Sequence, residues 1–168
     1  QRGHPSDCPG HGAPVEGREE TSRYTDVLDN GIARKWTWAM DAKSVVTSPS
    51  PQSPITHGTG PLVISGLAWT GRGTITRVDV SKDGGKTWET ARLAKEGEKM
   101  ALTRFYLDTE WDGSEMMLQS RAMDDTGYIQ PSKAQLREVR GLNSIYHNNC
   151  IQTWLVRSNG EAENVEVS

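Results

Sequence analysis

Leu62 to Leu93 reads LVISGLAWTGRGTITRVDVSKDGGKTWETARL, and this stretch decides the fold. Two apolar runs precede S-K-D-G-G-K-T-W (Ser81 to Trp88), and a third follows it. Short β-branched and aromatic runs bounded by Gly, Asp and Ser read as strands. Asp83 is expected to accept hydrogen bonds from backbone N–H groups two residues on. Gly84 and Gly85 can take positive φ because they carry no Cβ. Trp88 then re-enters a strand with a ring large enough to cover the hairpin. The segment predicts a β-hairpin whose structural turn is Asp83, Gly84, Gly85 and Trp88. Ile75 lies on the opposite parity from Val78 and Val80, which a bulge between them reconciles.

Working outward, Ser44 to Thr47 reads as a short strand, and Ser48 to Pro54 (SPSPQSP) must be a loop. Between Leu102 and Trp111, Phe105, Leu107, Thr109 and Trp111 share one face, and Asp112-Gly113 is a turn signal. Met116, Leu118, Ser120 and Ala122 continue at period two. Asp124 to Pro131 reads as a second long turn, Leu136 to Val139 as a weak strand and Asn143 to Asn149 as a polar loop. Thr153 to Val156, Val165 and Val167 end the pattern. Trp36, Trp38 and Met40 alternate with polar or small neighbours, which suits an extended segment. No segment carries a sustained 3.6-residue apolar stripe. About seven or eight short strands at this spacing predict an all-β, immunoglobulin-like β-sandwich. The Cys…Trp…Cys spacing of antibody domains is absent.

The 168 residues suffice for one domain with a real core. That domain is expected over residues 24–168. Residues 1–23 hold only Cys8, Ala13 and Val15 as apolar side chains, too few to offset ordering entropy, and read as a tail or linker. A formal charge of −3, from 19 basic and 22 acidic side chains, gives no footprint for nucleic acid. No apolar run approaches the roughly 20 residues of a membrane span, and no signal-peptide pattern opens the chain. Gln1 is not an initiator Met, so the chain is expected to begin within a longer protein.

Few residues suggest chemistry. No phosphate loop, zinc helix or nucleophile elbow is present. His4, Cys8 and His11 resemble metal ligands, but a closed zinc site needs four and the spacing fits no standard finger. Cys8 and Cys150 are expected as free thiols. Asp124-Asp125, Glu19-Glu20 and the acidic ending around Glu161, Glu163 and Glu166 read as solvated, and His147 as an ordinary loop histidine. No catalytic or metal residue is therefore assigned. Arg72 stands apart, in Trp69-Thr70-Gly71-Arg72-Gly73. Flanking glycines let the backbone pass close to another surface while the guanidinium projects as a planar fork suited to an oxyanion. A plain surface arginine is the competing reading.

S-x-D-x-G-x-T-W is also the Asp-box turn of sialidases and other propellers. Those folds repeat it in every blade, and a single copy here excludes a propeller and weakens a glycan-binding reading. The longer string GLAWTGRGTITRVDVSKDGGKTW strongly resembles the C-terminal dimerisation domain of the sulfite oxidase family of molybdenum enzymes. The resemblance is stronger to the SoxC-type sulfane dehydrogenase subunits. REETSRYTD (Arg18 to Asp26), MDAKSVVTSP from Met40, GYIQP around Tyr128 and HNNCIQTWLV from His147 extend it.

The resemblance implies an immunoglobulin-like sandwich that follows a larger domain holding molybdopterin-molybdenum through a cysteine thiolate. Neither Cys8 nor Cys150 sits in that ligand context, so no cofactor is expected in this chain. Arg72 matches the arginine that this family sends into its substrate pocket, although the family more often writes Gly-Gly-Gly-Arg where this chain has Thr-Gly-Arg-Gly. Also implied are a homodimer, a molybdenum-cofactor domain as neighbour, a haem cytochrome c partner and a periplasmic location. Trp36, Trp38 and Trp154 are the candidate apolar centre of the dimer interface. A stand-alone sandwich that binds a protein without catalysis is the alternative.

Overall fold

The computed structural model describes residues 39–95, 98–141 and 147–167 in full and residues 25–27 and 33–36 as backbone. The expected tail over residues 1–23 lies outside the described residues. Strands β1 (Thr25–Val27) and β2 (Ala33–Trp36) pair antiparallel as a two-stranded ribbon. There follow β3 (Lys43–Ser48), β4 (Gly60–Trp69), β5 (Ile75–Ser81), β6 (Glu89–Thr90), β7 (Arg92–Leu93), β8 (Thr103–Trp111) and β9 (Met116–Asp124). Helix α1 (Lys133–Arg140), β10 (Thr153–Val156) and β11 (Ala162–Val165) complete the described chain.

Nine of these strands form two antiparallel sheets, one of five in the order β11-β10-β9-β5-β6 and one of four in the order β3-β4-β8-β7. The fold is a β-sandwich. Period-two alternation turns Leu62, Ile64 and Ala68 of β4 and Phe105 and Leu107 of β8 inward. They meet Val78 and Val80 of β5, Leu118 and Ala122 of β9 and Val156 of β10 in a single apolar core. Gly66 belongs to this face as well, and a Cβ there would overlap Val45 O and come within 2.6 Å of Phe105 Cε1.

The organising stretch behaves largely as read. Residues Ser81 to Trp88 close a hairpin in which Asp79 faces Thr90 and Val80 faces Glu89. Gly84 and Gly85 have φ of 75° and 90°. One detail differs. Asp83 Oδ1 accepts from the N–H groups of Lys86 at 3.0 Å and Thr87 at 2.9 Å, three and four residues on. Two consecutive left-handed glycines lengthen the turn, so the later amides are the ones that point back. Ser81 Oγ donates to Asp83 Oδ1 and Thr87 Oγ1 to Asp83 Oδ2. The hydrogen bonds from Thr87 and Ser81 hold the Asp83 carboxyl far below its ordinary range.

This linkage has a definite sign. A depressed folded-state pKa contributes stability that is fully present above the unfolded value near pH ~4 and is lost as pH falls below it. Asp83→Ala is therefore expected to lower Tm at pH 7, and the gap from the native chain should narrow steadily from about pH 4 down to pH 2 without closing there. Thermal melts across that range check this. A gap that stays constant with pH would mean that the turn draws nothing from the carboxylate's charge.

The register of β5 against β9 shifts between Ile75 and Arg77, where the parity break called for a bulge. One expectation fails. Leu136 to Val139 is not a strand but part of α1. Ser132 caps its N-terminus by accepting from Gln135 N, while the Gln135 side chain accepts from Ser132 N, a reciprocal capping box. Only Leu136 and Arg140 are buried along it, and a single apolar inward residue leaves no stripe to detect. The sandwich's nine strands agree with the roughly seven or eight expected, the run after the turn being split into β6 and β7, two-residue strands in opposite sheets.

Candidate functional site

The chain leaves one sheet for the other between β4 and β5, and Arg72 sits on that crossing. Its loop is pinned on several sides. Gly71 N donates to Met40 O at 2.7 Å, Met100 N to Gly73 O at 2.8 Å and Asp125 N to Thr74 O at 3.0 Å. Thr70 Oγ1 donates to Asp124 Oδ2 at 2.9 Å and Thr74 Oγ1 to Asp125 Oδ2 at 3.0 Å. The glycines matter here for close approach: a Cβ on Gly71 would meet Met40 N at 2.9 Å, and one on Gly73 would overlap the Asp125 carboxylate.

Arg72 Nε donates to Asp41 Oδ1 at 2.8 Å. Asp41 Oδ2 accepts from Arg140 Nη2, and Arg140 Nη1 donates to His147 O at 3.0 Å. Asp41 and Arg140 are buried, whereas the Arg72 side chain is 42% exposed. Among the described residues, the terminal Nη groups of Arg72 hold no hydrogen bond, so one edge of the guanidinium is fixed and the other is presented. The Tyr128 hydroxyl accepts from Asn149 Nδ2 at 3.1 Å, and burial, with the neighbouring Asp41 charge, raises its pKa despite that hydrogen bond. These residues open into a groove of about 1360 Å³ that continues past α1 to Trp88.

A second charged cluster lies at the same groove. Asp79 is buried, and burial pushes its carboxyl up, but hydrogen bonds from Arg77, Thr90 and Arg121 outweigh that and leave it below the usual value. Arg121 also lies over the Trp88 ring, 4.2 Å from the centroid, while the Trp88 indole N–H donates to Gly85 O at 3.0 Å.

The other sequence candidates fall as follows. Trp36 lies on β2, described as backbone, and Trp38 lies outside the described residues. Trp154 on β10 packs against the core, and its indole N–H donates to Val46 O at 2.9 Å, tying the two sheets together. Asp124 is not solvated. It is 1% exposed and accepts from Thr70, Thr126 and the Tyr128 amide, because the turn after β9 folds back over its carboxylate. His4, Cys8 and His11 lie outside the described residues.

Cys150 is a buried thiol with Gln152 Nε2 at 3.6 Å from Sγ. Among the described residues no group of three His, Cys, Asp or Glu is placed to hold a metal ion. None of the described residues is assigned to hold a molybdenum cofactor. Sequence reasoning missed Asp41, Arg140 and Gln130. The only local trace was Arg140-Gly141 at a helix end, and that helix had been read as a strand.

Comparison with known proteins fits this architecture. Residues 34–154 match the Mo-co oxidoreductase dimerisation domain. The crystal structure of the sulfane dehydrogenase SoxCD from Paracoccus pantotrophus superposes with a TM-score of 0.88 at 68% identity, covering 92% of this chain and 40% of that one. Sulfite oxidase from Gallus gallus is 35% identical over 118 residues, 64% of this chain and 25% of the relative. Mitochondrial sulfite oxidase from Rattus norvegicus is 33% identical over 121 residues, 66% of this chain and 21% of the relative. The chain thus spans about a quarter of the curated relatives' length. Among the described residues no helix is long and apolar enough to cross a membrane. On its sandwich fold and on the match of residues 34–154, the chain belongs to the dimerisation-domain family of the molybdenum-cofactor oxidoreductases of sulfite oxidase type.

Proposed function

We propose that this domain pairs with a second copy of itself and completes the substrate pocket of a sulfur-oxidising molybdenum dehydrogenase. In this reading residues 24–168 form an immunoglobulin-like domain, and residues 1–23 link it to the domain that holds the cofactor. The enzyme works in the periplasm and passes its electrons to a haem cytochrome c. Trp36 and Trp38 belong to the two-fold interface, while the inward hydrogen bond of Trp154 limits it to a supporting place there.

The observation that carries the reading is the state of Arg72. A loop pinned from several sides presents a half-exposed guanidinium with its Nε tied to Asp41, on the lining of the groove. Such a group is a fixed positive charge that needs no reorganisation when an anion arrives. Arg72→Met in the intact enzyme is expected to raise KM for the sulfur substrate by about tenfold or more, the scale of one charged hydrogen bond. The molar mass by light scattering should remain that of a dimer. An unchanged KM would return Arg72 to the ordinary surface and remove the pocket from the proposal.

A further inference from the structure

Asp41 does more than anchor Arg72. It is a full negative charge directly behind the group that meets the anion, and it is shared. One carboxylate oxygen accepts from Arg72 Nε at 2.8 Å and the other accepts from Arg140. Asp41 is buried at 6% exposure and Arg140 at 8%, so water screens neither of them well. Among the described residues, two guanidiniums and one carboxylate leave the cluster at +1. Without the carboxylate it would carry +2.

We infer that Asp41 is a specificity-determining residue, setting the charge that the Arg72 arm accepts and favouring singly over doubly charged anions. This rests on the pocket role proposed for Arg72. The physical reason is scaling. Repulsion between Asp41 and an anion at the Nη fork grows in proportion to the anion's charge, so a dianion bears twice the penalty of a monoanion. Asp41 also orients Arg72, and because attraction to Arg72 scales with anion charge too, losing that orientation weakens a dianion more than a monoanion. Orientation therefore moves the ratio of the two anions opposite to the charge effect, so a ratio that rises when Asp41 is neutralised reads the charge.

Sulfate and nitrate serve as probes, as competitive inhibitors of the intact enzyme at low ionic strength. Asp41→Asn is expected to raise the ratio of the nitrate to the sulfate inhibition constant at least about fivefold, given a unit charge a few ångströms away in a partly buried site. Asp41→Glu, which keeps the charge, should hold the native ratio. Arg140→Gln takes the cluster from +1 to 0 and should move the ratio in the opposite direction. That variant also decides the matter if Asp41→Asn does not fold. Thermal melts and molar mass establish which variants are intact.

An unchanged ratio in folded Asp41→Asn or Arg140→Gln, while Arg72→Met weakens both anions, overturns the role of Asp41 and leaves the pocket reading standing. If Arg72→Met changes neither anion, the pocket reading itself fails, and this inference with it.

Discussion

Gln130→Leu is expected to destabilise the domain by about 3–5 kcal/mol, the sum over several hydrogen-bonding groups stranded in the interior. The Gln130 side chain is 2% exposed and stitches the two sheets together. Its Oε1 accepts from Ser44 N at 2.8 Å, Ser44 Oγ at 2.7 Å and Ala122 N at 3.1 Å, while Nε2 donates to Ser44 O at 3.3 Å. Ser44 lies on β3 in one sheet and Ala122 on β9 in the other. Leucine preserves most of the volume and removes every polar partner, so the loss measures unsatisfied backbone groups and not a cavity. Denaturant unfolding would show a lower midpoint at similar slope. The same loop carries Tyr128 and Asp124, so the substitution should also loosen the crossing that holds Arg72. A midpoint within experimental scatter of the native one would mean that water replaces the glutamine, and the argument would fail.

The second large effect is expected at Gly66. Alanine there drives a Cβ into Val45 O and the Phe105 ring, and Phe105 is fully buried with no exposed direction in which to swing. Overpacking against backbone and a trapped ring should cost about 3 kcal/mol, at the upper end for added methyl groups in cores. Phe105→Leu in the same chain opens room beside Gly66 and should recover part of the loss, a coupling that a double-mutant cycle reads directly. If Gly66→Ala melts within a degree or two of the native chain, β4 and β8 are more loosely packed than their spacing implies.

Both effects arise from contacts distant in sequence, and this separates what was legible from what was not. The Ser81 to Trp88 turn could be read because its donors and acceptors lie within a few residues of one another. Strand alternation and the bulge near Ile75 were legible for the same reason, since one pleat settles each neighbour's face. The sheet partners were not legible. Asp112-Gly113 does make a turn, yet β8 and β9 enter opposite sheets, and nothing local separates that arch from a hairpin. Helix α1 escaped because its inward face is Leu136 and Arg140, although Ser132 and Gln135 had already spelled a capping box.

At the site, the residues of Trp69 to Gly73 alone marked Arg72 as a projecting cation on a close-packed turn. Its partners lie 31 residues upstream and, from Asp41 on to Arg140, a further 99 downstream. Asp124 looked solvated because its burial depends on Thr70, 54 residues away, as much as on its own turn. The sequence by itself determined most of the strands and the Asp83 turn and marked Arg72 as a candidate anion ligand, all from neighbours along the chain. Only the tertiary structure decided which strands share a sheet and which carboxylate stands behind Arg72. Long-range pairing depends on the burial of whole faces, and the charge around a guanidinium on whatever the folded chain brings beside it.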